Sequence, residues 1–153
     1  MVFATAAFWQ DNLYIAGVGG PLIAFSFRPA LGQFNTVPTS QSSATYGFPV
    51  ATPSVSSQGA ASGIVWAIDG SQYCTTQSPR CGAAILHAYD ALSLGAELWN
   101  NSQVTGDKAG LAVKFTVPTT ANGKVYIGTR GNDTGAGTSS ILGELDVYGL
   151  KPN

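Results

Sequence analysis

The chain has 153 residues, of which 44% are hydrophobic, 10% aromatic and only 10% charged, and its formal net charge is −1 at pH 7. That apolar content argues against a disordered chain and for a single folded domain, residues 1–153. The near-neutral balance, with no stripe of Lys or Arg, argues against nucleic acid and membrane surfaces as partners, and no apolar run reaches the roughly 18 residues of a bilayer span.

Taken in chain order, the predicted elements are short strands between small-residue turns. Asp11–Gly17 reads as an aromatic-bearing strand, Val18–Pro21 as a tight turn, Leu22–Phe25 as a second strand, and Gly32–Phe34 as a Gly turn leading into a third. Thr52–Val55 follows, with Pro53 where proline can start or end a strand but cannot sit in a central ladder. Gly63–Asp69, Leu86–Tyr89 and Gly95–Trp99 are the next strands, with Gly70–Ala84 inserted before Leu86. Then come Val117–Thr120, Asn122–Thr129, an insertion over Arg130–Ser140, and Leu145–Tyr148, after which no counterpart of Gly95–Trp99 appears. Val, Ile, Tyr, Phe and Trp within the runs and Gly, Asn, Asp, Ser and Pro between them are strand and turn chemistry. No stretch carries a useful helical stripe.

One pattern therefore recurs three times. Tyr14, Trp66 and Tyr126 align at separations of 52 and 60, and Leu22, Leu86 and Leu145 at separations of 64 and 59. A head-to-tail repeat of about sixty residues, each copy holding up to four short antiparallel strands, is the signature of a β-propeller blade, because each small sheet needs a neighbour on both faces. The expected fold is all-β: a partial propeller of about three four-stranded blades, over about 3–40, 48–103 and 110–150, the last lacking its outer strand.

The run Gly123–Thr129 followed by Leu145-x-Val147-Tyr148, and the run Leu86-x-Ala88-Tyr89-Asp90 with Gly95 and Trp99 beyond it, resemble the repeats of quinoprotein-like β-propellers. The resemblance covers nearly the whole chain. It implies a bacterial propeller scaffold of the kind shared by dehydrogenases, assembly factors and sensors, so it speaks to fold and leaves the cofactor unknown. A quinone in such enzymes lies on the axis of a complete ring, and no vicinal cysteine pair is present to place one here.

Propellers close with about 4–8 blades, and three cannot. The two outermost sheets would each expose an apolar face, a feature that marks an interface in soluble proteins. A homo-oligomer is expected, a dimer of two arcs closing a six-bladed ring being favoured over an open polymer.

The two longer insertions fall at matching places and should emerge at one end of the scaffold, where binding is usually carried. The candidate ligand-binding residues are Trp9, Arg130, Asn132 and Asp133, for a glycan or another small molecule. Trp66 and Trp99 occupy repeat positions and read as blade packing, whereas Trp9 does not. The 131–140 loop lacks the ordered carboxylates of a calcium loop, and no metal ligand set is evident. His87 is the only histidine; with no nucleophile elbow or metal motif in the chain it reads as a packed imidazole. Asp69 and Asp90 read as turn caps.

Cys74 and Cys81 enclose a polar loop tip, and the spacing predicts a local disulfide, two unpaired thiols being the alternative. A bridge would place the parent protein outside the cell or in the periplasm, although Met1–Thr5 does not encode a secretion signal. The leading reading is a non-catalytic propeller module, or self-assembling arc, that binds an extracellular ligand through loops at one end. The alternative is an enzyme, a quinoprotein-like dehydrogenase or a hydrolase, whose site is completed by oligomerisation.

Overall fold

In the computed structural model, which describes residues 1–74, 81–131 and 143–149, the chain is all-β. Its strands are β1 (Ala7–Trp9), β2 (Asn12–Ala16), β3 (Gly20–Arg28), β4 (Gln33–Phe34), β5 (Ser40–Tyr46), β6 (Ser54–Gln58), β7 (Ala61–Asp69), β8 (Ile85–Asp90), β9 (Ser93–Asn100), β10 (Thr119–Ala121), β11 (Lys124–Thr129) and β12 (Glu144–Gly149). They form three antiparallel sheets in chain order. Sheet 1 runs β1-β2-β3-β4 with β5 also on β3, sheet 2 runs β6-β7-β8-β9, and sheet 3 runs β10-β11-β12. Every pairing in the second and third sheets is antiparallel and between strands adjacent in sequence.

The sheets pack face to face in the order 1, 2, 3, and side-chain alternation along the strands sorts residues between the two layers of core. Val65 and Ala67 of β7 join Tyr14, Ala16, Leu22 and Ala24 of sheet 1, together with Tyr46, Tyr89 and Leu94. The intervening Ile68 and Trp66 turn the other way, to meet Val125 and Ile127 of sheet 3 with Leu86, Ala112 and Tyr148. Sheet 2 is thus apolar on both faces. The first strands follow the same order, β6 lying against both β1 and β10.

Polar side chains stitch the layers. The Tyr14 hydroxyl donates across the first layer to the Ala91 carbonyl at 2.8 Å, and the hydroxyls of Tyr46 and Tyr89 bond each other at 2.9 Å. Burial raises all three phenols, Tyr14 to about 12 with some help from the Asp90 charge. In the second layer the buried Asn101 amide donates to the Ala84 carbonyl and the Tyr148 hydroxyl and accepts from the Leu86 N–H.

The first sheet differs from the expectation. Its boundary does not fall at residue 40: the strand Ser40–Tyr46 pairs with β3, while Gln33–Phe34 is only a two-residue strand. The reason is compositional. Ser-Gln-Ser-Ser-Ala-Thr-Tyr has a single large apolar residue, and its inward-facing Ser42 secures the strand through a hydroxyl that accepts from Leu22 N–H and donates to the Ala44 carbonyl. Among the described residues the third sheet holds three strands, β10-β11-β12.

Candidate functional site

The described residues that lead into and out of the connections after the second strand of each sheet gather at one end. The turn over residues 17–20 is tied to β5 by the Gly19 N–H, which donates to the Tyr46 carbonyl at 2.8 Å. Gly47 then approaches the β7–β8 connection so closely that a Cβ there would lie 2.8 Å from the Cβ of Ser71, and a Cβ on Gly70 would lie 3.0 Å from the Val113 carbonyl oxygen. Residues 110–112 run between the bases of the two long insertions. Ala84 and Ala112 exchange backbone bonds with Gly110 and Gly82 on one side, while Leu111 does the same with Arg130 and Gly131 on the other, all at 2.7–2.9 Å. Four orphan backbone pairs are satisfied by this single extended stretch.

Gly110 is what lets the stretch in. A Cβ at this position would lie 2.5 Å from Thr129 Oγ1, 2.8 Å from Gly131 Cα and 2.9 Å from Glu144 Oε2. The Asp146 carboxylate holds the same corner, accepting from Gly110 N–H at 3.2 Å and from the Thr129 hydroxyl at 2.8 Å.

On this framework three connections bring aromatic rings together. Phe48, from the β5–β6 connection, is the hub: Phe3, Tyr73 and Phe115 meet it edge to face at centroid separations of 5.4, 6.0 and 6.1 Å. The Lys114 ammonium lies 4.5 Å from the Tyr73 ring centre and 5.6 Å from that of Phe48, within range of a cation–π attraction. Phe115 is nonetheless 59% exposed and Phe3 48%. Two backbone positions at this patch are left-handed although neither is glycine, Phe115 at φ +61° and Val50 at φ +75°. Such conformations cost on the order of 1–3 kcal/mol each and persist where the surrounding fold imposes them.

The disulfide Cys74–Cys81 closes the β7–β8 insertion one residue after Tyr73, with the two Cα atoms 4.7 Å apart. The rings were not legible in the sequence. Phe48, Tyr73 and Phe115 come from three connections and lack a common spacing; the available signal was a large aromatic standing in each of three otherwise small-residue or polar loops.

Of the residues expected to bind ligand, Trp9 and Arg130 are not brought together. Trp9 sits at the β1–β2 turn, at the other end of the strands, where its indole N–H donates to the Gly59 carbonyl at 3.1 Å and its ring covers Gly63. It packs against the first core layer, as Trp66 and Trp99 pack against the second. Arg130 stands at the insertion end. Its backbone N–H is bonded to Leu111, and its buried Nε has no hydrogen-bond partner among the described residues. Asn132 and Asp133 lie outside the described residues.

His87 is buried, stacks on Tyr89 and meets Tyr46 edge on, and its Nδ1 lies 2.7 Å from Glu97 Oε1, which also accepts from Asn100. This is the packed imidazole expected from its place in the strand. Asp69 and Asp90 cap turns, accepting from Ser71 and Leu92 N–H. Among the described residues, no three His, Cys, Asp or Glu side chains converge as a metal site would. Compared with protein-family models, with curated proteins and with solved structures, the chain finds no match.

Proposed function

We propose that the chain is an arc of about three blades of a quinoprotein-like β-propeller, that it closes a ring with a second copy of itself, and that it serves as a non-catalytic binding module. The observation that carries this reading is a repeated division of faces. In sheet 2 the positions Trp66, Ile68, Leu86 and Ala88 face onward to sheet 3, and in sheet 1 the matching positions Tyr14, Ala16, Leu22 and Ala24 face onward to sheet 2. In sheet 3 the matching positions are Tyr126, Gly128, Leu145 and Val147, and here Leu145 is 63% and Val147 47% exposed.

The opposite face of sheet 1 is the complement. Leu13 pairs with Phe25 and Ile15 with Ile23, on the face turned away from the core. These positions correspond to Val65 with Tyr89 and Ala67 with His87, which sheet 2 turns back toward sheet 1. An onward face without a successor and a backward face without a predecessor fit each other by the same packing already used twice inside the chain. If the two-fold axis of a dimer is the ring axis, each copy's third sheet meets the other's first sheet, and no apolar face remains open.

The loop end of such a ring carries the Phe48 cluster, a rigid platform of the kind that binding residues occupy. The disulfide beside it supports function in an oxidising compartment, outside the cell or in the periplasm. A glycan or other small molecule is the ligand class that the exposed rings favour.

Light scattering on the purified chain tests the ring. The expected result is a mass of twice 15.7 kDa, falling on dilution; a 15.7 kDa particle with the β-sheet spectrum intact at all concentrations would overturn it.

A further inference from the structure

We infer that the Phe48 cluster is a binding site for an acidic carbohydrate, a uronate-bearing oligosaccharide whose ring stacks on the exposed phenyl of Phe115 and whose carboxylate is received by Lys114. This rests on the loop end being the binding end, and it does not depend on ring closure.

The geometry supplies three independent reasons. The first is exposure beyond the one edge-to-face contact that Phe115 makes with Phe48. Phe115 keeps more than half its surface in water while held in a left-handed backbone conformation that a phenylalanine rarely adopts. A loop free to relax would turn that ring inward or choose glycine; backbone positions held in such conformations cluster at ligand sites.

The second reason is the placement of charge. Lys114 is exposed, and among the described residues no carboxylate pairs with it. Its ammonium is instead drawn over Tyr73 and Phe48, so a positive charge stands within the ring cluster with donors still turned to solvent. A single ammonium suits one carboxylate. It does not offer the several amides or the fork of donors that phosphate groups call for.

The third is the character of the surface. The rings meet Phe48 edge to face, so they form an angular platform and not a slot for a flat aromatic ligand. A pyranose laid on such a platform buries one face of C–H groups against a ring and leaves its hydroxyls in water. No buried polar partners are then needed. The platform is preorganised by the Cys74–Cys81 bridge on one side and by the close approach of Gly47 to Ser71 on the other, which lowers the ordering cost of binding.

Calorimetric titration of the full chain with trigalacturonate and with its methyl ester tests the assignment, since the ester keeps the sugar rings and removes the charge. The acid should bind, and the ester should bind about tenfold or more weakly, the size expected for a contact to a charged group. Lys114→Met should abolish that difference, and Phe115→Ala should weaken both ligands. Both positions are exposed, so an unchanged far-ultraviolet circular dichroism spectrum is expected from each variant. No binding at millimolar ligand, equal binding of acid and ester by the native chain, or a preference that survives Lys114→Met would each overturn the assignment. Because the titration reads ligand and light scattering reads mass, a monomer that binds the acid would sink ring closure and leave this site standing.

Discussion

Trp66 stands directly across the β7–β8 ladder from Ala88, and the same relation recurs as Tyr14 opposite Ala24 and Tyr126 opposite Val147. A large ring beside a small or branched residue makes a ridge and a hollow on the onward face of each sheet. In the first two sheets the next sheet fills the hollow; in the third the relation is made but the face is open.

Equivalent residues should therefore differ in energetic weight according to what covers them. Trp66→Ala removes a ring from the second core layer, and its Ser56 partner loses the indole donor. A loss of about 3 kcal/mol is expected in urea unfolding. Tyr126→Ala removes the matching ring from the open face and should cost about 1 kcal/mol or less in the dissociated chain.

Gly63 allows Trp9 to lie flat across the first layer. A Cβ there would be 2.6 Å from the indole ring and 2.9 Å from the Ala91 Cβ. Gly63→Ala should destabilise by about 1–3 kcal/mol through overpacking, and pairing it with Trp9→Ala should recover part of that loss. The coupling is read from the double-mutant cycle; simple additivity would mean that the ring does not rest on this glycine.

Stability should fall in alkali. Burial holds the Tyr14 proton up to about 12 in the folded chain, against about 10 when unfolded, and raises Tyr46 and Tyr89 in the same direction. A raised folded value means that the contribution is complete below about pH 10 and is lost as pH climbs toward 12. Denaturation midpoints measured from pH 8 to pH 11 should drop above pH 10. Tyr14→Phe should flatten part of the decline, while costing about 1 kcal/mol at neutral pH through loss of the bond to Ala91.

The Cys74–Cys81 bridge closes a short loop, so its removal by Cys74→Ser with Cys81→Ser should cost about 2.5 kcal/mol by loop-closure entropy. Thermal unfolding is the check. The sheets should persist, because neither layer of core includes the bridge.

Much of this was written in the sequence where hydrophobic alternation and turn chemistry agree. The anchors Tyr14, Trp66 and Tyr126 and the Leu-x-small-aromatic strands fall in equivalent register because apolar residues at every second position must be divided between two neighbours. The strand Ser40–Tyr46 was hidden because its pairing depends on small polar residues that bury hydroxyls in place of hydrocarbon. The aromatic patch was hidden for another reason. Phe48, Tyr73 and Phe115 are far apart along the chain, and the close packing of Gly47 on Ser71 and Gly70 on Val113 brings them together; spacing along one strand cannot encode a meeting of three connections. The packing of Trp9 was hidden because its partner, Gly63, has no side chain to suggest a contact.

The exposed onward face of sheet 3 is where the account is most open to refutation. Sedimentation of the Leu145→Asp, Val147→Asp double variant is the direct measurement, since both side chains lie on that face and outside either core. The account predicts a single 15.7 kDa species with the native chain's circular dichroism, beside a native chain that sediments as a larger assembly. A variant that still associates like the native chain, or one that unfolds as a buried charge would make it, would contradict the claim that this face is built for a second copy.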